Sequence, residues 1–219
     1  MRKWIPFILA IASAGVSALV YPRLPNPMPV HWNWRGIADG WAPTEFGVWL
    51  IPILMLLLIG LFYLLPRLDP MRANYDRFWA EYKLMIIAVT AMLAVMHVAV
   101  LGIALGYQIP IMKVATLITG SLFIILGNIM PRIRPNHTAG FRTRATLSND
   151  VVWSRTHRAG GAAMMITGIV ILLGSLAPAT WGIPIILGSV LVLTIAIARY
   201  SNRIAKELPP AASPQTGSH

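Results

Sequence analysis

Leu84–Gly106 reads LMIIAVTAMLAVMHVAVLGIALG, 23 consecutive residues without a charged side chain. A helix needs about 20 apolar residues, each rising about 1.5 Å, to cross the hydrocarbon core of a bilayer. Five more uncharged segments flank this one: Trp4–Tyr21, Phe46–Leu65, Val114–Met130, Ala159–Ala177 and Trp181–Ala198. All 18 Lys and Arg and all 7 Asp and Glu fall in the stretches between them. The chain as a whole is 57% hydrophobic and 11% charged, against roughly 25% charged in a soluble domain. Two compositions therefore alternate along one sequence. That excludes a soluble protein, a disordered basic tail and a small basic nucleic-acid-binding domain.

The spanning elements must be helices. In lipid each backbone amide has to find its partner within its own segment or in a closed barrel. A barrel would show alternating segments of about ten residues, and none occur. The expected fold is all-α: a polytopic membrane protein with a single bundle of six transmembrane helices over residues 1–208. Its spans cover 4–21, 46–65, 84–106, 114–130, 159–177 and 181–198. Residues 209–219, small, polar and rich in Pro, read as a disordered tail.

The net charge of +11 reads as topology, not as direct nucleic-acid binding. With both termini in the cytoplasm, 15 of the 18 basic residues lie inside, and only Arg23, Arg35 and Lys113 lie outside. Such a bias sets orientation in membranes. It also brings the basic loops against anionic lipid headgroups. The first hydrophobic segment lacks a small-x-small cleavage site and reads as an uncleaved span. There is no cysteine, so thiol catalysis and cysteine-ligated metals are excluded.

Two loops carry most of the remaining information. The external loop, 22–45, contains Leu24-Pro25-Asn26-Pro27-Met28-Pro29-Val30-His31-Trp32-Asn33-Trp34-Arg35-Gly36-Ile37-Ala38-Asp39-Gly40-Trp41. Its prolines forbid helix and favour an extended chain. Gly36 and Gly40 are expected to supply turns. His31, Asn33, Arg35, Gly36 and Asp39 form a candidate ligand-facing motif. His31 and Asp39 are also candidate metal ligands, eight residues apart, with no cysteine or second histidine to complete a set. The cytoplasmic loop, 131–158, holds six arginines. Arg132, Arg134, Asn136, Arg142, Thr143, Arg144, Trp153 and His157 form a candidate docking motif for a cytoplasmic partner or an anionic headgroup. Ser148 or Asn149 is expected to cap a short helix bearing Trp153 and His157, with span five starting at the flexible Ala159-Gly160-Gly161.

Other features are more local. Met71–Lys83 reads as an amphipathic helix at the interface, with Tyr75, Phe78, Trp79 and Tyr82 at helical spacing. Pro66 and Pro70 are expected to close span two. His97 sits midway along span three, either a functional group or a neutral histidine bonded to a neighbouring helix. Gly102 and Gly106 make one small-xxx-small pair. No span carries an acid, and no hydrolase, zinc-protease, P-loop or dinucleotide motif occurs. The chain therefore reads as a non-enzyme without a cofactor. The alternative is a membrane enzyme or carrier acting on a lipid headgroup or small molecule, with a metal at His31 and Asp39.

At these two loops the sequence resembles the SdpI family of bacterial membrane proteins. Leu24, Pro25, Pro29, His31, Asn33, Gly36, Asp39 and Gly40 match the family's first motif. Gly127, Asn128, Pro131, Pro135, Asn136, Gly140, Arg142, Thr143, Thr146, Leu147, Ser148, Trp153, Thr156, His157, Arg158, Gly160 and Gly161 are among the matches to its second. Arg144 and Ala145 depart from the family's usual Pro-Trp. The resemblance implies an immunity protein of the bacterial plasma membrane that protects against a secreted, membrane-active peptide toxin. It also implies signal transduction, in which the loaded protein sequesters a cytoplasmic transcriptional repressor at the membrane.

Overall fold

A computed structural model describes residues 2–208. The tail expected to be disordered, 209–219, lies outside the described residues. Six helices are long and apolar enough to cross a membrane. They are α1 (Ile5–Val20), α2 (Thr44–Leu68), α3 (Trp79–Ala104), α4 (Ile111–Ile129), α6 (Asp150–Gly174) and α7 (Gly182–Glu207), with a five-residue α5 (Arg144–Ser148) before α6. The extended external loop is a two-stranded antiparallel hairpin, β1 (Met28–Trp32) with β2 (Ala38–Ala42). Chain direction puts the hairpin beside the α3–α4 turn at one end of the bundle. The arginine-rich segment sits at the other, basic end, beside the end of α2 and the start of α3.

The helices form two packed groups. In the first, α1, α2 and α3 meet around a buried polar clasp. Ser17 Oγ donates to the Val48 carbonyl at 2.9 Å and lies 2.9 Å from His97 Nε2. With its own proton on Val48, Ser17 accepts from the imidazole, so one hydroxyl joins all three helices. His97 is thus the histidine bonded to a neighbouring helix. A buried hydroxyl contributes only when each polar group in the set has a partner.

In the second group α4 and α6 run antiparallel at backbone contact. A Cβ on Gly127 would lie 2.7 Å from the Gly161 carbonyl oxygen, and one on Gly161 2.6 Å from that of Gly127. Gly120 and Gly168 repeat the relation one heptad away, at 2.7 Å in each direction. Close approach of helix backbones through small residues is how membrane helices gain packing energy without a hydrophobic driving force. The expected pair does not do this: Gly102 faces Ile109 of its own turn, and Gly106 has open space and a φ of +92°.

Several boundaries differ from expectation. Helix α6 is continuous from Asp150, so Gly160 and Gly161 are not a flexible start but lie buried inside the helix. Asn149 caps it, accepting from the Val151 and Val152 amides at 2.8 and 3.2 Å. Pro66 lies inside α2 instead of closing it. The segment expected as an interfacial helix is a 3-10 turn, Arg72–Arg77, followed directly by α3. Its aromatics turn inward because they have a cluster to join. Tyr75, Phe78 and Tyr82 are buried, with Tyr75 edge-on to Tyr82 at 5.3 Å between centroids.

Candidate functional site

The hairpin is built by its short residues. Asn33 Oδ1 accepts from the amides of Arg35 (2.9 Å) and Ile37 (3.2 Å). Gly36 takes a φ of +79°, the left-handed region open to glycine. Gly40 is not a turn residue. It sits in β2 opposite His31, where a Cβ would come within 2.9 Å of the His31 Cβ. Met28 is fully buried against Val48, Val100 and Leu101 and anchors the hairpin to the bundle.

On this platform His31 and Asp39 face solvent as a pair, Nδ1 to Oδ1 at 2.6 Å, with 71% and 42% of their side chains exposed. The Arg35 guanidinium lies over the Trp34 ring at 4.8 Å. The structure thus brings together His31 with Asp39, and Arg35 with Trp34, while Asn33 and Gly36 shape the turn. No third His, Cys, Asp or Glu joins the His31–Asp39 pair among the described residues. An open groove of about 620 Å³ separates the hairpin from the α3–α4 turn, lined by Trp32, Gly36, Tyr107, Gln108 and Pro110.

At the basic end the eight motif residues separate by burial. Arg132, Arg134, Arg142 and Arg144 are exposed. Arg132 pairs with Glu81 at 3.2 Å, and Arg142 donates to the His137 carbonyl. The other four hold the segment in shape. Asn136 is fully buried. Its Oδ1 accepts from the amides of Thr138 (2.9 Å) and Ala139 (2.6 Å), and its Nδ2 donates to the Arg134 carbonyl at 2.7 Å. Thr143 caps α5 in a reciprocal box with Thr146. Trp153 Nε1 donates to the Ile133 carbonyl at 2.8 Å.

His157 is locked from both sides. Its Nε2 accepts from the Phe141 amide at 3.0 Å, so the proton sits on Nδ1, which donates to the Trp153 carbonyl at 2.9 Å. The ring stacks on Trp153 with centroids 4.0 Å apart. Gly140, at φ +103°, leaves room for Nε2. Both ring nitrogens are committed to backbone, so His157 orders the segment rather than lining an anion site with Arg142 and Arg144.

Asp69 is the residue that sequence reasoning missed. Its side chain is fully buried and accepts from the Met71 amide (2.8 Å), the His137 amide (2.8 Å) and the Tyr75 hydroxyl (2.8 Å). His137 Nδ1 lies 3.1 Å from the same carboxylate. The carboxylate thereby ties the end of α2 to the arginine-rich segment, and Asn74 adds a bond to the Pro135 carbonyl at 2.8 Å. The only signal in the sequence was an acid enclosed by Pro66 and Pro70 at a helix end. Burial pushes the Asp69 pKa up, but the hydrogen bonds from Met71, His137 and Tyr75 outweigh it and the net direction is down. Stability from this group is therefore complete above the unfolded carboxylate value of about 3.9 and disappears as pH falls through the lower folded value. Thermal melts between pH 6 and 3 should fall more steeply for wild type than for Asp69→Asn; parallel profiles would remove Asp69 from the acid response.

A domain of unknown function, DUF1648, matches residues 8–56, covering most of α1, the hairpin and the first half of α2. The SdpI/YfhL protein family matches residues 132–201, from the arginine-rich segment into α7. Immunity protein SdpI of Bacillus subtilis (strain 168) is 27% identical over 170 residues, 78% of this chain and 79% of that protein. No solved structure matches. The resemblance first read from two loops thus stands on a family match and on a relative spanning most of the chain: this is a multi-pass membrane protein similar to the SdpI/YfhL family and its immunity protein.

Proposed function

We propose that this protein is an immunity and signal-transduction protein of the bacterial plasma membrane, protecting its host from a secreted, membrane-active peptide. One observation carries the reading. The two exposed motif surfaces lie at opposite ends of the bundle, with the buried Ser17–His97 clasp and the α4–α6 glycine contacts in the helices that join them. That arrangement suits a receptor with two faces better than an enzyme with one cavity. The positive-inside bias puts the hairpin outside and the arginines in the cytoplasm. The hairpin face, with His31, Arg35, Asp39 and the groove beside Tyr107, receives the peptide. The four exposed arginines present the docking face for an acidic surface on a cytoplasmic repressor. Peptide binding shifts the docking face only by the difference in its affinity for two states of the bundle.

The test is survival of a sensitive host exposed to the cognate peptide. Cells expressing the wild-type chain should survive where cells with empty vector die. Double substitution of His31→Ala and Asp39→Ala should reduce survival to the vector level. It should leave stability within about 1 kcal/mol, since a pair this exposed contributes no more than that. Equal death of wild type and vector would sink the immunity reading. Arg134→Gln with Arg144→Gln should keep survival and weaken repressor recruitment at the membrane. Unchanged recruitment would remove these two arginines from the docking face.

A further inference from the structure

A second groove, of about 520 Å³, opens between the basic ends of α6 and α7. Val151, Ser154, Arg155, Arg158 and Tyr200 line it together with Asp150, so its walls carry a net charge of +1. None of these residues belongs to the two surfaces described above. Arg155 and Arg158 are exposed and, among the described residues, have neither an ion-pair partner nor an aromatic ring beneath them.

The surface continuing from the groove decides what it fits. Val151, Arg155, Arg158, Ala162, Ile166, Ile169 and Leu173 are all exposed and recur every three or four residues. At 100° per residue they occupy a single face of α6, about 80° wide. After Val151 that face carries two guanidinium groups and is aliphatic thereafter, with Ile166, Ile169 and Leu173 at 62%, 48% and 55% exposure. From Arg158 to Leu173 it runs about 22 Å at 1.5 Å per residue, longer than half of a hydrocarbon core of about 30 Å. A charged head followed by an apolar track longer than one leaflet is complementary to a lipid, not to a soluble anion.

We propose that this groove is a binding site for one anionic phospholipid. Arg155 and Arg158 grip the headgroup phosphate, the Ser154 and Tyr200 hydroxyls donate beside them, and an acyl chain lies along the α6 face. Paired guanidinium groups match phosphate geometry. The site is independent of any peptide bound at the hairpin.

The test uses the full chain purified in a neutral detergent. Phosphatidylglycerol, phosphatidylcholine and inorganic phosphate are added separately, and bound lipid is read by native mass spectrometry beside a thermal melt. Phosphatidylglycerol should be retained at one molecule per chain and raise the melting temperature; phosphatidylcholine and inorganic phosphate should do neither. Arg155→Gln with Arg158→Gln should lower retention at least tenfold, and Arg158→Gln alone, a milder change if the double variant folds poorly, at least threefold. Arg67→Gln with Arg77→Gln removes the same charge from the same end of the bundle and should leave retention within twofold. Equal losses in the two double variants would replace the site with diffuse attraction. Equal retention of phosphatidylcholine, an equal shift with inorganic phosphate, or full retention by Arg158→Gln would each overturn the proposal.

Discussion

Gly161→Leu is expected to prevent the protein from accumulating in a folded state. The side chain would enter where a Cβ alone would already lie 2.6 Å from the Gly127 carbonyl oxygen and 3.0 Å from the Pro131 ring. The obstacles are backbone and a proline ring, neither of which can rotate away. Overpacking a well-filled site costs about 1–3 kcal/mol when side chains can adjust. Here two helices must separate, and the Gly120–Gly168 contact on the same seam opens with them. Gly60→Leu and Gly188→Leu are the matched controls, because a Cβ at either position meets nothing within 4 Å. The measurement is the monodisperse fraction in detergent and its melting temperature. Near-complete loss for Gly161→Leu, with both controls close to wild type, is the expected pattern. Equal behaviour of all three would mean that the α4–α6 contact is not close in the native bundle.

Asp69→Ala has the second largest expected effect. It removes one ionised acceptor and leaves the Met71 and His137 amides and the Tyr75 hydroxyl without that partner. Hydrogen bonds to a charged group contribute about 1.5–3 kcal/mol each, and stranding buried donors adds a desolvation penalty, so a loss of about 3–5 kcal/mol is expected. The loss should be local first. The arginine-rich segment is held to α2 through this carboxylate, so amide exchange at residues 136–139 should accelerate before the spans open. Asp69→Asn keeps one acceptor and should fall between wild type and Asp69→Ala. An Asp69→Ala protein with unchanged melting and exchange would contradict the structural role assigned to Asp69.

The six helices were legible in the sequence because lipid imposes one rule on every residue of a span. Charge-free length was therefore enough to find them. Helix ends were less legible, because α3, α6 and α7 continue beyond the charge-free segments through residues that carry charge. Gly160 and Gly161 were misread as flexible for a physical reason. A glycine pair looks the same whether it frees a backbone or lets another backbone approach, and only the presence of α4 decides. The candidate sites were partly legible. Spacing brought out His31, Asp39 and the arginines, and it also drew in Asn136, Trp153 and His157, which are buried and serve the fold. Asp69 stayed hidden because its donors lie up to 68 residues away. A single carboxylate at a helix end has no pattern to announce that.

The central claim is that the hairpin and the arginine-rich segment face opposite sides of one membrane. The absence of cysteine makes this directly testable, since an introduced thiol is the only one in the chain. Ile37→Cys, on the exposed tip of the hairpin, and Ser148→Cys, exposed before α6, are treated with a membrane-impermeant maleimide in intact cells and again after permeabilisation. The account predicts that Ile37→Cys reacts in intact cells and Ser148→Cys only after permeabilisation. Reaction of both thiols in intact cells, or of neither until the membrane is opened, would contradict it.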